Sequence, residues 1–195
     1  MSSLPHLRIT EEEYLALERA AEFKSEYFDG QIVAMSGASR WHVAITQNIA
    51  RQLGNRLEQE PCDVGTNDMK VRVSHRSYMY PDVVITCGEP RFADDEQDVL
   101  LNPQVLIEIL FPSTERYDRG LKAAHYRTIP SLQQYVLVWQ TEPRIEILTK
   151  QTSGDWLLHE VVGIDSICPF ESLKCEVPMN EIYRRIRFDP LEPSE

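Results

Sequence analysis

Apolar positions in this chain recur with a helical period in some places, alternate with polar ones in another, and form short continuous runs elsewhere. In Trp41–Leu57, Ile45, Ile49, Leu53 and Leu57 recur every four residues, which predicts a helix with one apolar face, capped by Ser39. A shorter helix is predicted after Thr10, where Glu11, Glu12 and Glu13 favour the N-terminal end and Glu13 completes a capping box. Its expected apolar stripe is Leu15, Leu17 and Ala21. "EYFDGQIVAM" reads as a hairpin about an Asp29-Gly30 turn, followed by a Ser36–Ser39 loop. "CDVGTNDMKVRVS" alternates through Met69, Val71 and Val73, with Lys70 and Arg72 on the opposite side.

"YPDVVIT" and "PQVLIEIL" are near-continuous apolar runs of the kind that fill a sheet interior. A helix from the "FPSTERYDRG" loop to Pro130 permits a crossover to "LQQYVLVW", after which "RIEILTK" and "DWLLHEVV" add strands and "VPMNEIYRRIRF" closes with a short helix. The order predicts an α/β or α+β domain: a mixed central sheet flanked by helices, with an N-terminal helix and hairpin and extra C-terminal strands. No repeat or linker divides residues 1–195, so one domain is expected, with its core at about residues 10–185.

Composition adds exclusions. No apolar stretch reaches the ~20 residues that span a bilayer, and the N-terminus lacks a signal-peptide core. Cys62, Cys87, Cys168 and Cys175 show no C-x-x-C spacing, which predicts neither zinc nor a disulfide framework and points to a reduced, cytoplasmic protein. The net charge of −11 opposes general affinity for nucleic acid, although Arg116, Arg119 and Lys122, and Lys70, Arg72 and Arg76, form local basic groups.

Two acids interrupt the apolar strands. An unpaired buried carboxylate is costly, so Asp82 and Glu108 each need solvent, a partner or a metal. If their strands are neighbours, both carboxylates reach one point, and with a backbone carbonyl and waters they make an oxygen site for Mg²⁺ or Mn²⁺. Lys122, on the following helix, supplies a compact cation for an attacking water or a phosphate. The plainer alternatives are a turn cap for Asp82, a structural ion pair for Glu108, and an i+4 partner of Asp118 for Lys122. Glu26, His42 and Asp68 are further candidates, each equally readable as an exposed or structural residue.

A "PD", an acid within the next strand and a nearby Lys resemble the signature of the PD-(D/E)xK restriction-endonuclease-like nucleases. The acid–x–Lys element is altered, because Ile109 and Leu110 follow Glu108, and Lys122 takes the place of a migrated lysine. "KSEYFDGQIVAMSGAS", "DMKVRV", "YPDVVITC" and "LIEILFPSTERYDRGLKAAHYRTIPSLQQYVLV" narrow the resemblance to the Uma family, over about Glu12 to Tyr183. Phe111, Leu121 and Trp139 depart from residues common there and leave Asp82, Glu108 and Lys122 intact. The resemblance implies a Mg²⁺-dependent endonuclease acting on DNA, with Asp82 and Glu108 as metal ligands. The alternative is a silent module of the same fold that binds nucleic acid or protein. A homodimer built on the late strands is expected, since cutting both strands of a duplex commonly takes two sites.

Overall fold

The Thr10 cap is formed as a full box: the Thr10 hydroxyl accepts the Glu13 N–H at 3.2 Å, and the Glu13 carboxylate accepts the Thr10 N–H at 2.8 Å. It starts α1 (Glu11–Ala20) in the computed structural model, which describes residues 8–35 and 37–188. Residues 1–7, Ser36 and 189–195, which include the ends of the expected domain and the first residue of the Ser36–Ser39 loop, lie outside that description. The expected stripe on α1 is not the buried one. Tyr14 and Glu18 face inward while Leu17 is 54% exposed, because this helix docks on polar and aromatic groups. Glu18 accepts hydrogen bonds from Ser25 and from the Tyr80 hydroxyl, and the Tyr14 hydroxyl donates to the Ser25 carbonyl at 2.6 Å.

The hairpin forms as β1 (Ser25–Phe28) and β2 (Gln31–Ala34), with Asp29 and Gly30 both at positive φ. The long apolar helix follows as α2 (Arg40–Arg56), capped by Ser39. Then come β3 (Cys62–Thr66), β4 (Lys70–Ser74), β5 (Ser77–Met79), β6 (Val83–Cys87), β7 (Val99–Leu100) and β8 (Val105–Leu110). The run expected as one alternating strand is thus two strands in different sheets. Asn67, at φ +42°, breaks it, a conformation that asparagine tolerates better than most residues.

The crossover is α3 (Glu115–Tyr117), a π-helical turn (Asp118–Lys122) and α4 (Ala123–Tyr126). It delivers the chain to β9 (Gln134–Trp139), which lies parallel to β8. The antiparallel strands β10 (Arg144–Lys150) and β11 (Trp156–Val162) extend the sheet. A hairpin of β12 (Ile167–Phe170) and β13 (Cys175–Pro178), then α5 (Met179–Ile182), completes the chain.

One sheet has the order β2-β1-β5-β4-β7 and the central one β11-β10-β9-β8-β6-β3. On one face of the central sheet, Val83, Ile85, Val105, Ile107 and Val136 pack under Ile45, Ile49 and Leu53 of α2. On the other, Val84, Leu106 and Leu110 pack with Tyr126, Ile129, Leu132 and Tyr135 from and after the crossover. Helices therefore cover both faces, as the β6 and β8 apolar runs require. The molecule is the expected mixed α+β architecture. Among the described residues no helix is long and apolar enough to cross a membrane.

The cysteine expectation is corrected. Cys62 and Cys87 form a disulfide, while Cys168 and Cys175 are free. A sequence separation of 25 hides the pairing, which arises because antiparallel β3 and β6 set Cys62 directly opposite Cys87.

Candidate functional site

Two adjacent strands and the crossover helix bring the acid-rich group together. Strands β6 and β8 are antiparallel, with Val83 opposite Ile107 and Val84 opposite Leu106. Asp82 directly precedes β6, and its charge bears on the Glu108 carboxyl in the neighbouring strand. Asp82 Oδ2 accepts the Ile109 N–H at 2.7 Å and lies 3.0 Å from His42 Nε2, in the first turn of α2.

Glu108 is 4% exposed, and its Oε1 accepts from the Lys122 ammonium at 2.8 Å and the Tyr126 hydroxyl at 3.0 Å. Lys122, also buried, reaches Glu26 Oε1 at 3.1 Å, and Glu26 in turn accepts the Tyr80 N–H. Glu26 comes from β1 of the N-terminal hairpin, so the group draws on both sheets.

The crossover supplies Thr114, Asp118, Lys122 and Tyr126 at four-residue spacing. Asp118 is buried and accepts the Thr114 hydroxyl at 2.8 Å. In the π-turn between them, the Ala123 N–H reaches the Asp118 carbonyl, which also accepts the Tyr135 hydroxyl at 3.1 Å. Such turns recur at functional sites because they shift the side chains that follow.

Three carboxylates (Glu26, Glu108 and Asp118) therefore act on one ammonium, and the Asp82 charge bears on Glu108 and Asp118. Burial pushes the Glu108 carboxyl well above its ordinary value, and the charges of Asp82 and Asp118 add to this while Lys122 opposes it. Asp118 is raised as well, first by burial. Burial alone would lower Lys122, yet Glu108, Glu26 and Asp118 outweigh it and hold the ammonium protonated well above the usual lysine range. Burial and the Glu26 charge push the Tyr117 hydroxyl up to about 12.

Of the six candidates, Glu108, Lys122 and Glu26 form one hydrogen-bonded group and Asp82 and His42 form another, with the Asp82 charge bearing on Glu108. Asp68 joins neither. Its side chain is 86% exposed and pairs with Lys24 at 2.6 Å. The basic groups also come apart: Lys122 turns inward, Lys70 is buried over the rings of Tyr14 and Tyr80, and Arg76 is held by Asp29 at 2.6 Å. Arg119 pairs with Glu146 at 2.8 Å and lies over Trp139, whose other guanidinium neighbour is Arg144. Sequence reasoning missed Tyr80 and Tyr126. The i+4 series from Thr114 to Tyr126 was the available signal for the second; for Tyr80 there was none.

Among the described residues, no three His, Cys, Asp or Glu side chains are grouped as a ready-made metal cage.

Comparison with known proteins agrees with this architecture. Two proteins of Synechocystis sp. are similar over most of their length: slr1290 is 37% identical over 187 residues, covering 95% of this chain and 97% of the relative. The other, sll1609, is 35% identical over 167 residues, covering 85% and 94% respectively. A crystal structure from Anabaena variabilis, described as "a putative nuclease belonging to DUF820", shares the fold with a TM-score of 0.73 at 18% identity, over 90% of this chain and 97% of that one. The family model Uma2, described as "Putative restriction endonuclease", matches residues 11–179, and this chain belongs to that family.

Proposed function

We propose that this chain is a divalent-metal-dependent endonuclease that hydrolyses DNA phosphodiester bonds with Asp82, Glu108 and Lys122. The observation that carries the reading is the buried Lys122 ammonium shared by Glu108 and Glu26, with the Asp82 charge bearing on Glu108. Hard oxygen donors and uncompensated negative charge suit Mg²⁺ or Mn²⁺. Asp82 and Glu108 would hold the ion, with backbone carbonyl and water oxygens completing its shell. Bound there, it supplies Lewis-acid activation of the phosphodiester and of the attacking water.

The chain's own groups do the rest. Lys122 orients the water and offsets negative charge developing on the phosphoryl oxygens. Glu26 positions Lys122, Tyr126 fixes the Glu108 carboxylate, and the Ile109 N–H and His42 fix Asp82. Burial limits competing water. A homodimer through the late strands belongs to the same reading; β11 supports it by exposing Leu157, Leu158 and Val162 at the open edge of the central sheet.

The deciding experiment measures nicking of supercoiled plasmid and melting temperature with and without Mg²⁺ or Mn²⁺. Wild type is expected to nick and to gain stability from the metal. Asp82→Asn and Glu108→Gln lose both responses, and Lys122→Ala keeps the stabilisation and loses nicking. A wild type that gains no stability and cuts nothing would favour the silent module, the reading that the charge of −11 supports. Sedimentation giving a monomer mass at every concentration would exclude the dimer.

A further inference from the structure

The elements that border the proposed site carry a half-buried indole and exposed aliphatic side chains beside few cations free of an ion pair among the described residues. Trp41 precedes His42 in the first turn of α2, so it stands one residue from a direct contact with Asp82. The exposed Arg40 guanidinium lies over the half-buried Trp41 ring, 4.8 Å from its centroid. This turn is fixed from two sides. His42 meets Asp82, and Ser39 donates to Gln140 Oε1 at 2.6 Å, while Gln140 donates to the Leu110 carbonyl at the end of β8.

The other borders are apolar. Val33 opposes Glu26 in the hairpin and so shares the face that Glu26 turns to Lys122, yet it is 52% exposed. Leu121, beside Lys122, is 47% exposed. Lys24 and Arg119 are engaged by Asp68 and Glu146. Arg40 and Arg116 make no ion pair among the described residues.

Intact duplex draws its affinity largely from Lys and Arg that neutralise a track of phosphates, and this border offers few. A flexible single strand can replace part of that attraction by stacking its bases on aromatic rings, at about 1–3 kcal/mol per base. We infer that Trp41, with Arg40 stacked on it, is the platform for an unpaired base beside the scissile phosphate, and that single-stranded DNA is preferred over intact duplex. A base extends or displaces the guanidinium–indole stack and leaves Arg40 to a neighbouring phosphate. The inference rests on the nuclease reading and adds its substrate class.

The test uses a labelled short oligothymidylate, alone and annealed to its complement. Binding is measured by anisotropy without divalent metal, and cleavage is measured separately with Mn²⁺. Wild type is expected to bind the single strand more tightly. Trp41→Ala should weaken that binding about tenfold to a hundredfold and leave the duplex value unchanged. Trp41→Phe should retain most of the affinity, keeping the test sound if the alanine variant folds poorly, while losing the quenching of tryptophan fluorescence by the bound strand. Equal or tighter duplex binding, an unchanged Trp41→Ala, or no binding at all would overturn the platform. Lys122-dependent cleavage indifferent to Trp41→Ala would overturn the platform and spare the nuclease. Trp41-dependent single-strand binding without cleavage would do the reverse.

Discussion

Lys122 and Glu26 meet at 3.1 Å although one lies on the crossover helix of the central sheet and the other on the N-terminal hairpin. Removing Lys122 leaves two buried carboxylates uncompensated, whereas removing Glu26 leaves the ammonium its partner Glu108. Lys122→Met is therefore expected to cost the metal-free protein about 3–5 kcal/mol, and Glu26→Gln about 1–2 kcal/mol. The double variant should cost less than the sum, by about 0.5–3 kcal/mol of coupling. Urea unfolding of the four proteins checks this, and strict additivity would show that the contact carries no energy.

The buried acids fix how stability varies with pH. In the folded state Glu108 holds its proton above the ordinary value of 4.5, because burial disfavours the charge, whereas the unfolded chain releases it there. Folding thus binds the proton more tightly, and stability falls as pH rises from 4.5 through the raised value. Asp118 contributes with the same sign. Lys122 acts on the alkaline side: its raised value gives stability present below 10.5 that is lost as pH climbs through the folded value. The urea midpoint of the metal-free protein should decline from mildly acid pH toward neutrality, and Glu108→Gln should flatten that decline.

The Cys62–Cys87 bond closes a loop of sequence separation 25. Loop-closure entropy puts its contribution at about 3–4 kcal/mol. Reductant, or Cys62→Ala, should lower stability by that amount, and thiol titration of the unfolded, unreduced chain should find only the thiols of Cys168 and Cys175. Four titrating thiols would refute the bond.

Gly30 has φ +88°, and a Cβ built there would lie 2.7 Å from the Arg8 Cβ. Gly30→Ala should therefore destabilise the protein by about 1 kcal/mol or more. The tight turn sets the register that pairs Glu26 with Val33. A thermal melt measures the loss directly.

Elements whose apolar spacing marks one buried face, or for a central strand two, were legible from sequence. The α2 stripe, the Asp29-Gly30 hairpin, the strand at Val105–Leu110 and the crossover to Gln134 all follow from spacing. So did the need of Asp82 and Glu108 for partners, because an acid among branched apolar residues demands one; His42 and the Ile109 N–H serve Asp82, and Lys122 and Tyr126 serve Glu108. What was not legible depends on contacts between distant segments. The inward face of α1 is chosen by Ser25 and Tyr80, which offer hydrogen bonds to Glu18. Lys70 alternates like a solvent-facing residue, but Tyr14 and Tyr80 enclose it. Tyr80 enters the acid-rich group through its backbone N–H, which any residue type would supply.

The π-turn at Asp118–Lys122 bears on which changes of chain length this protein tolerates. Its wider ring holds Asp118 and Lys122 inward and still delivers Tyr126 to Glu108. That ring absorbs one residue beyond an ordinary α-turn, so a deletion within Arg119–Leu121 would close an α-turn and leave Asp118 and Lys122 on one face. An insertion within Ala123–Tyr126, where no wide ring takes it up, would turn Tyr126 about 100° away from Glu108. Added residues belong instead in the exposed Gly88–Asp98 connection.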